Sequence, residues 1–194
     1  MENVNSKIMN LKDVLLLMAT GFYTKPNRLG NAIYLQGKHF NKIGEFKQEI
    51  NYPLNVFVDE KNSRHFLNDK DLLFVSKGEN NRTCIYTSDI GPAVASTLFF
   101  VLRVNKEVIR PRYLLWYLNT KDTRRKIERM SKGSRIPSVS KKLLEKLEIH
   151  VPPLEVQDKI LNVAETSKKE RQLLSQLLID NQVYVENALL NILK

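Results

Sequence analysis

The sequence predicts an α+β protein: a mixed-sheet globular domain over residues 1–151, then one long coiled-coil-type helix within 152–194. Three observations carry that reading. After Pro153 the chain runs to Lys194 with no glycine and no proline, so nothing in it stops a helix. Before that point, short apolar runs at 32–36, 54–59, 72–76, 83–87 and 93–104 are separated by Gly, Asn, Asp and Pro, the spacing of strands and their turns. The charge is also divided. Residues 1–140 hold 23 basic and 13 acidic side chains and account for the whole formal net charge of +10, whereas 141–194 holds eight of each. A basic globular module beside a neutral helical one points to a polyanion that touches only the first. Plain solubility is the bland alternative.

A chain of 194 residues, 42% of them apolar, is long enough for one core of domain size, with or without an extension. Residues 1–10 are polar. Leu11, Val14, Leu15 and Met18 recur at helical spacing, which predicts a short amphipathic helix over 11–19 closed by Gly21. Residues 23–30 read as a loop carrying Lys25, Asn27 and Arg28. The runs 32–36 and 54–59 read as strands, and the polar stretch between them holds Lys38, His39, Lys42 and Lys47. Asp69-Lys70-Asp71 turns into the apolar strand 72–76. Lys77-Gly78-Glu79-Asn80-Asn81-Arg82 follows as a loop. Asn and Arg can pair bidentately with adenine and guanine edges in a major groove; equally, Gly and Asn build ordinary hairpin loops. The runs 83–87 and 93–104 read as two more strands, the second long, continuously apolar and central.

Pro111 opens a helix with Tyr113, Leu114, Tyr117 and Leu118 on one face. Trp116 and Tyr117 either belong to the core or stack on bases. Residues 122–130 continue as a helix bearing Arg124, Arg125, Lys126 and Arg129, a surface suited to phosphates, and phosphate contacts position a protein without reading sequence. The segment 103–135 holds 11 basic and three acidic residues.

From Gly133 to Ile160 the chain reads as turn, short helix, strand, double proline and the start of the long helix. Ser140 caps a helix carrying Leu143 and Leu144. Leu147, Ile149 and Val151 alternate with Glu148 and His150 as a half-buried strand, which Pro152 ends. Pro153 suits a first helical turn. Gly133, Ser134, Ile136, Pro137, Ser140, Leu144, Ile149, Pro152, Pro153, Leu154, Gln157 and Ile160 together resemble the end of one target-recognition domain of a type I restriction-modification specificity subunit. In that family a "GS–IP–S" turn leads through helix and strand to "PPL–Q–I" and a spacer helix. Weaker likeness runs upstream through Asp71–Gly78, Ala95–Leu98 and Leu11–Gly21, so the resemblance covers nearly the whole chain once.

The helix over 155–192 would span about 55–60 Å at 1.5 Å per residue. Leu174, Leu177, Leu178, Val185, Leu189 and Ile192 form an apolar stripe that a lone helix cannot bury, and Ile160, Val163 and Ala164 begin it. Asn181 falls within the stripe as a candidate register-setting polar residue. Ser167 and Glu170 interrupt the heptads. A partner helix, supplied by a homodimer, is expected.

The single Cys84 excludes an internal disulfide and a cysteine-only metal site; it reads as a core residue and fits a reducing cytoplasm. No signal peptide and no membrane span is expected. There is no glycine-rich phosphate loop, zinc spacing or nucleophile motif, and His39, His65 and His150 lie far apart. The best enzymatic rival is a small metal-dependent nuclease built on Glu45-Phe46-Lys47 with Asp13 or Asp59, but E-x-K arises by chance in a chain with 27% charged residues. A non-catalytic coiled-coil adaptor is the other rival.

The resemblance implies a non-catalytic, cytoplasmic specificity subunit that reads one half of a bipartite double-stranded DNA site. Its implied partners are a methyltransferase subunit using S-adenosylmethionine and a restriction subunit with ATP- and Mg-dependent translocation; no cofactor is expected here. Family members carry two recognition domains and two spacer helices, and this chain has one of each, as a half-length subunit that forms a homodimer, a piece used for domain shuffling or a fragment would. Loop position and donor chemistry, rather than the resemblance, nominate the DNA contacts. Lys25, Arg28, Lys132 and Arg135 are nominated for phosphate, Asn80, Asn81 and Arg82 for base edges, and Lys77 and Ser134 for either.

Overall fold

The structure is a computed structural model and describes residues 6–41, 44–47, 52–78, 81–130 and 138–193. A four-stranded antiparallel sheet forms the centre, in the order β2-β7-β4-β5, from β2 (Leu15–Thr20), β7 (Phe99–Val104), β4 (Leu72–Val75) and β5 (Thr83–Ile85). A two-stranded parallel ribbon joins β3 (Ile33–Leu35) to β6 (Ala93–Ala95). A second, antiparallel ribbon joins β1 (Lys7–Asn10) to β8 (Glu148–Val151). The helices are α1 (Pro111–Asn119), α2 (Lys121–Met130), α3 (Lys141–Glu145) and α4 (Leu154–Ile192).

The central strands β4 and β7 are almost wholly apolar, as strands buried on both faces must be. Leu72, Leu73, Phe74, Phe99 and Leu102 are all inaccessible to solvent. Leu73 and Phe99 share one core with Ile33, Leu35, Phe40, Cys84 and Ala95. Thus the β3–β6 ribbon closes over one face of the sheet. Helix α1, which packs against β5, buries Tyr113, Leu114 and Leu118, and α2 buries only Thr123 and Ile127.

Three sequence expectations are corrected. Residues 11–19 are not an amphipathic helix: Leu11–Val14 makes a single 3-10 turn and 15–20 is strand β2. Leu11, Val14 and Met18 are buried as a helix would require, but pairing with β7 decides the backbone, because strand formation depends on neighbours more than on intrinsic preference. Gly21 therefore caps no helix. Its N–H donates to the Phe99 carbonyl at 2.9 Å, and a Cβ there would overlap the Ser96 carbonyl oxygen; only glycine allows the crossing.

The run 93–104 is two strands, β6 and β7, parted at Ser96, whose N–H goes to Leu35 while its carbonyl receives Phe99 N–H. A continuous apolar run hides that turn. Finally, 54–59 is no strand; Val56 alone bridges Ala32.

The motif from Ser140 to Gln157 folds as the sequence indicates. Ser140 Oγ accepts from Leu143 N–H at 3.3 Å, and β8 alternates exposed and buried residues. Gln157 is wholly buried. Its Oε1 accepts from Arg110 N–H at 2.8 Å, and its Nε2 donates to the Pro152 carbonyl at 2.8 Å and the Val108 carbonyl at 3.2 Å. One amide thereby joins the start of α1, the end of β8 and the first turn of α4. The globular unit accordingly extends through Gln157, beyond the division expected at Val151, and the second unit begins at Asp158.

Within α4 the nominated Leu174, Leu177, Leu178, Val185, Leu189 and Ile192 are all exposed, as is Asn181. Leu173, Ile179, Val183, Tyr184 and Leu190 are exposed too, so the apolar surface is broader than one stripe. Among the described residues no helix is long and apolar enough to cross a membrane.

Two measurements check these packing arguments. Gln157→Leu keeps the volume and removes all three hydrogen bonds, so it should lower stability by about 3–5 kcal/mol, the cost of several unpaired buried polar groups, as read from urea midpoints. A loss below about 1 kcal/mol would mean the amide is dispensable. His39 is buried and its Nδ1 accepts from Gln36 N–H at 3.2 Å. Burial first, then Lys38 and Lys47, pull its imidazole from 6.5 down to about 4. The unfolded chain binds the extra proton between those values, so this stability is complete above about pH 6.5 and is lost as pH falls toward 4. Wild-type midpoints should fall more steeply from pH 6.5 to 5 than those of His39→Gln; parallel curves would contradict it.

Candidate nucleic-acid interface

The strand register brings the nominated loops to one end of the sheet. β2 finishes at Thr20 opposite Phe100, β4 finishes at Val75 opposite Phe99, and β5 starts at Thr83 opposite Phe74. The loop 21–30 leaves from β2, and the loop 76–82 links β4 to β5. Both open at the same end, from the two outer strands. Three strand steps of about 4.8 Å separate those strands by roughly 14 Å.

The 76–82 loop is anchored from three sides. Ser76 N–H and Oγ both donate to the Leu98 carbonyl at 2.9 Å. Val139 N–H donates to Ser76 at 2.9 Å, and Lys77 bridges Ser138. Val75 N–H donates to the Arg82 carbonyl at 2.8 Å. Beyond it, Asn119 at the end of α1 grips the outer strand β5: its Oδ1 accepts from Thr83 N–H at 3.0 Å and its Nδ2 donates to the Thr83 carbonyl at 2.8 Å. The amide thus supplies the donor and acceptor that a further strand would bring to an open edge. Two residues on, α2 starts at Lys121.

Lys77 is exposed and Arg82 half-buried at this end. Asn81 is a correction. It is 4% exposed and donates Nδ2 to the Val75 carbonyl at 2.9 Å, so its amide closes the loop instead of facing a base. Asn80, Lys132, Ser134 and Arg135 lie outside the described residues. The 131–137 passage joins Met130 to Ser138, which returns beside Lys77.

Lys25 and Arg28 are exposed on the loop whose Asn27 N–H donates to the Asn55 carbonyl at 2.8 Å and whose Asn27 Oδ1 accepts from Leu29 N–H at 2.9 Å. On α2, Lys121, Arg125 and Arg129 are exposed at four-residue intervals, one row along the helix. Lys121 and the gripping Asn119 were not singled out from sequence. An Asn at a helix end reads as local capping, and nothing in its spacing to Thr83 announces the long-range pair.

The opposite end of the sheet carries acids and bases together, with Lys70 Nζ 3.4 Å from Asp69. Asp71, 2% exposed, holds Arg103 through Oδ1 to Nε at 3.0 Å and Oδ2 to Nη2 at 2.8 Å, and that hydrogen bonding raises the guanidinium further. Asp69 accepts from Ser88 N–H at 3.1 Å, which holds its carboxyl below the ordinary range. Burial, and then Asp69, Asp71 and Asp89, raise the Tyr86 phenol. The 76–82 loop and the start of the 21–30 loop thus form the basic pole of the sheet, whereas the opposite end pairs Asp71 with Arg103 and Asp69 with Lys70.

Among the described residues, the side chains that a reactive centre would use are engaged elsewhere. Cys84 is buried and its thiol is pushed up to about 12, by burial above all, which leaves no thiolate for chemistry at neutral pH. Glu45 and Asn41 hold one another through Asn41 Nδ2 to Glu45 Oε2 at 3.2 Å and Glu45 N–H to Asn41 Oδ1 at 2.9 Å. Asp59 caps a 3-10 turn by accepting from Asn62. Among the described residues no three His, Cys, Asp or Glu side chains gather to hold a metal. Trp116 is partly exposed and, with Tyr117, surrounds the buried Tyr113; Tyr113 hydroxyl donates to the His150 carbonyl at 2.9 Å.

Residues 3–178 match the family described as type I restriction modification DNA specificity domain. Three solved structures share the fold. One belongs to work on complex assembly and conformational transition of the type I R-M system, with TM-score 0.71 and 17% identity over 95% of this chain and 44% of that one. The HsdS subunit from Thermoanaerobacter tengcongensis gives 0.68 and 19% over 90% and 45%. The type I restriction-modification S subunit from M. genitalium gives 0.59 and 13% over 94% and 44%. This chain therefore spans under half the length of the structures it matches. No curated protein matches the chain closely enough to count as a relative.

The role given to Asn119 has a direct check. Asn119→Ala should destabilise by about 1–3 kcal/mol, the cost of leaving buried backbone groups unpaired, and should raise amide hydrogen exchange at Thr83 before the central strands respond. Unchanged exchange there would show that β5 needs no such grip.

Proposed function

This chain belongs to the type I restriction modification DNA specificity domain family, and on that premise we propose that it reads one half of a bipartite DNA site and presents it to a methyltransferase subunit. The observation that carries the reading is the convergence of the 21–30 and 76–82 loops at one basic end of a rigid sheet. Among the described residues of 21–30, 76–82 and 119–122 the charged side chains are Lys25, Arg28, Lys77, Arg82 and Lys121 against Asp122 alone. Arg82 is the base-edge candidate, since a guanidinium pairs bidentately with guanine. Lys25, Arg28 and Lys121 suit phosphates, and Lys77 suits either. Lys132, Ser134, Arg135 and Asn80 keep the roles their chemistry suggests.

The methyl transfer, with S-adenosylmethionine, and any ATP-driven translocation belong to partner subunits in the cytoplasm; this chain supplies recognition. α4 supplies the spacer. Its exposed apolar side chains favour a second copy, because a lone helix has nothing to bury them against. A two-fold dimer makes the helices antiparallel and the interface isologous, and its DNA site a split palindrome. The adaptor reading explains α4 but leaves the basic pole without a task.

Two experiments test this. Sedimentation should give a dimer for the whole chain and a monomer for residues 1–166, a cut that leaves Gln157 in place; a whole-chain monomer would remove the symmetric dimer. With the methyltransferase subunit present, Arg82→Ala should cost about 1–3 kcal/mol and relax one base pair. Lys25→Ala and Arg28→Ala should weaken all sequences alike and each lower the salt slope by about 0.9. Uniform weakening by Arg82→Ala would make it a phosphate contact.

A further inference from the structure

Around the basic loop 21–30 the surface is unexpectedly apolar. Leu29 is 85% exposed, Tyr23 72%, Phe57 51% and Leu54 45%. These side chains are displayed by a well-fastened backbone. Asn31 N–H donates to the Val56 carbonyl at 2.9 Å, and the Asn31 side chain accepts from Val58 N–H at 2.8 Å and donates to the Val58 carbonyl at 2.9 Å. Gly30 lies so close to the 54–56 backbone that a Cβ would come within 2.6 Å of Val56 N. Leu29 and Leu54 thus stand on two paired segments. Neither 21–36 nor 52–58 contains an Asp or Glu, Lys25 and Arg28 flank the apolar residues, and the exposed acids Asp59 and Glu60 follow at the far end of the second segment.

An apolar surface flanked by cations on its 21–30 side is complementary to a polyanion that carries apolar groups in its interior. Duplex DNA is such a ligand: phosphates line its rims, and thymine places a methyl group on the floor of the major groove. Leu and Phe have no donor or acceptor with which to read a base edge, so what they can recognise there is that methyl.

We infer that Leu29 and Leu54, with Tyr23 and Phe57 beside them, form a thymine-reading surface in the major groove, seated by Lys25 and Arg28 on the flanking phosphates. The inference rests on the DNA-reading role proposed above and adds to it a second reading element, apolar where Arg82 is polar. It makes specificity at some positions depend on a methyl group alone.

The test uses the full chain with its methyltransferase subunit and a duplex enriched from a random-sequence library. Each thymine of that duplex is replaced in turn by uracil, which deletes the methyl and leaves pairing intact. At least one replacement should weaken binding about fourfold, the fold-change that corresponds to about 0.8 kcal/mol for a buried CH2-sized group. In Leu29→Ala/Leu54→Ala the thymine and uracil duplexes should bind alike, while the unfolding midpoint stays within that of the wild type. Indifference of the wild type to every replacement, or sensitivity that survives in the variant, overturns the inference and leaves DNA reading intact. Loss of the methyltransferase subunit from the variant also overturns it, in favour of protein docking. Failure to enrich any sequence overturns the DNA-reading role itself, and this inference with it.

Discussion

The structure depends on the buried amide of Gln157. Its three hydrogen bonds tie the backbone at Val108 and Arg110, ahead of α1, to Pro152 after β8 and to the first turn of α4. No other side-chain type of that size could satisfy one N–H and two carbonyls in a site closed to water; glutamate would lack the donors and leucine would leave all three groups unpaired. Pro152 and Pro153 bring no N–H of their own to that crowded turn. The sharp exit from strand to helix and the satisfaction of α1's approach are one solution to one polar problem.

Much of the fold was legible, and the failures share a cause. Periodicity located β4, β5, β8 and the four helices, because each has a buried face whose spacing the sequence must display. It misread 11–19, where Leu11, Val14, Leu15 and Met18 fit both a helical face and a 3-10 turn followed by a strand; β7 arbitrated, and β7 is eighty residues away. It fused β6 with β7 because the partners differ, Leu35 and its ribbon for one and the main sheet for the other, while the hydrophobicity does not. The loop candidates divided in the same way. Exposure of Lys25, Arg28 and Lys77 follows from charge alone, whereas the inward turn of Asn81 toward Val75 depends on how the hairpin closes. The row of Lys121, Arg125 and Arg129 was partly visible as helix chemistry, but the tie from the end of α1 to β5 rests on the Asn119–Thr83 pair.

The placement of the basic loops follows from strand direction. In an antiparallel sheet every second loop emerges at the same end, so Lys77 and Arg82, between β4 and β5, share an end with the start of the 21–30 loop after β2. The other end of β4 and β5 is mixed, because Asp71 is held by Arg103 and Asp69 lies against Lys70. The formal net charge of +10 draws a polyanion toward the molecule before any contact is made.

The β1–β8 ribbon has a consequence for how such a module travels between proteins. Lys7 pairs with Val151, and Ile8 with His150, so the chain enters and leaves the globular unit on adjacent strands, about 5 Å apart. A unit whose entrance and exit coincide can be spliced into a host chain at a single point, without prising apart what lies on either side. Replacement of everything between β1 and β8 then changes what is recognised while the length and pitch of the attached helix stay fixed. Exchange of whole cassettes is, by this construction, a geometrically quiet event.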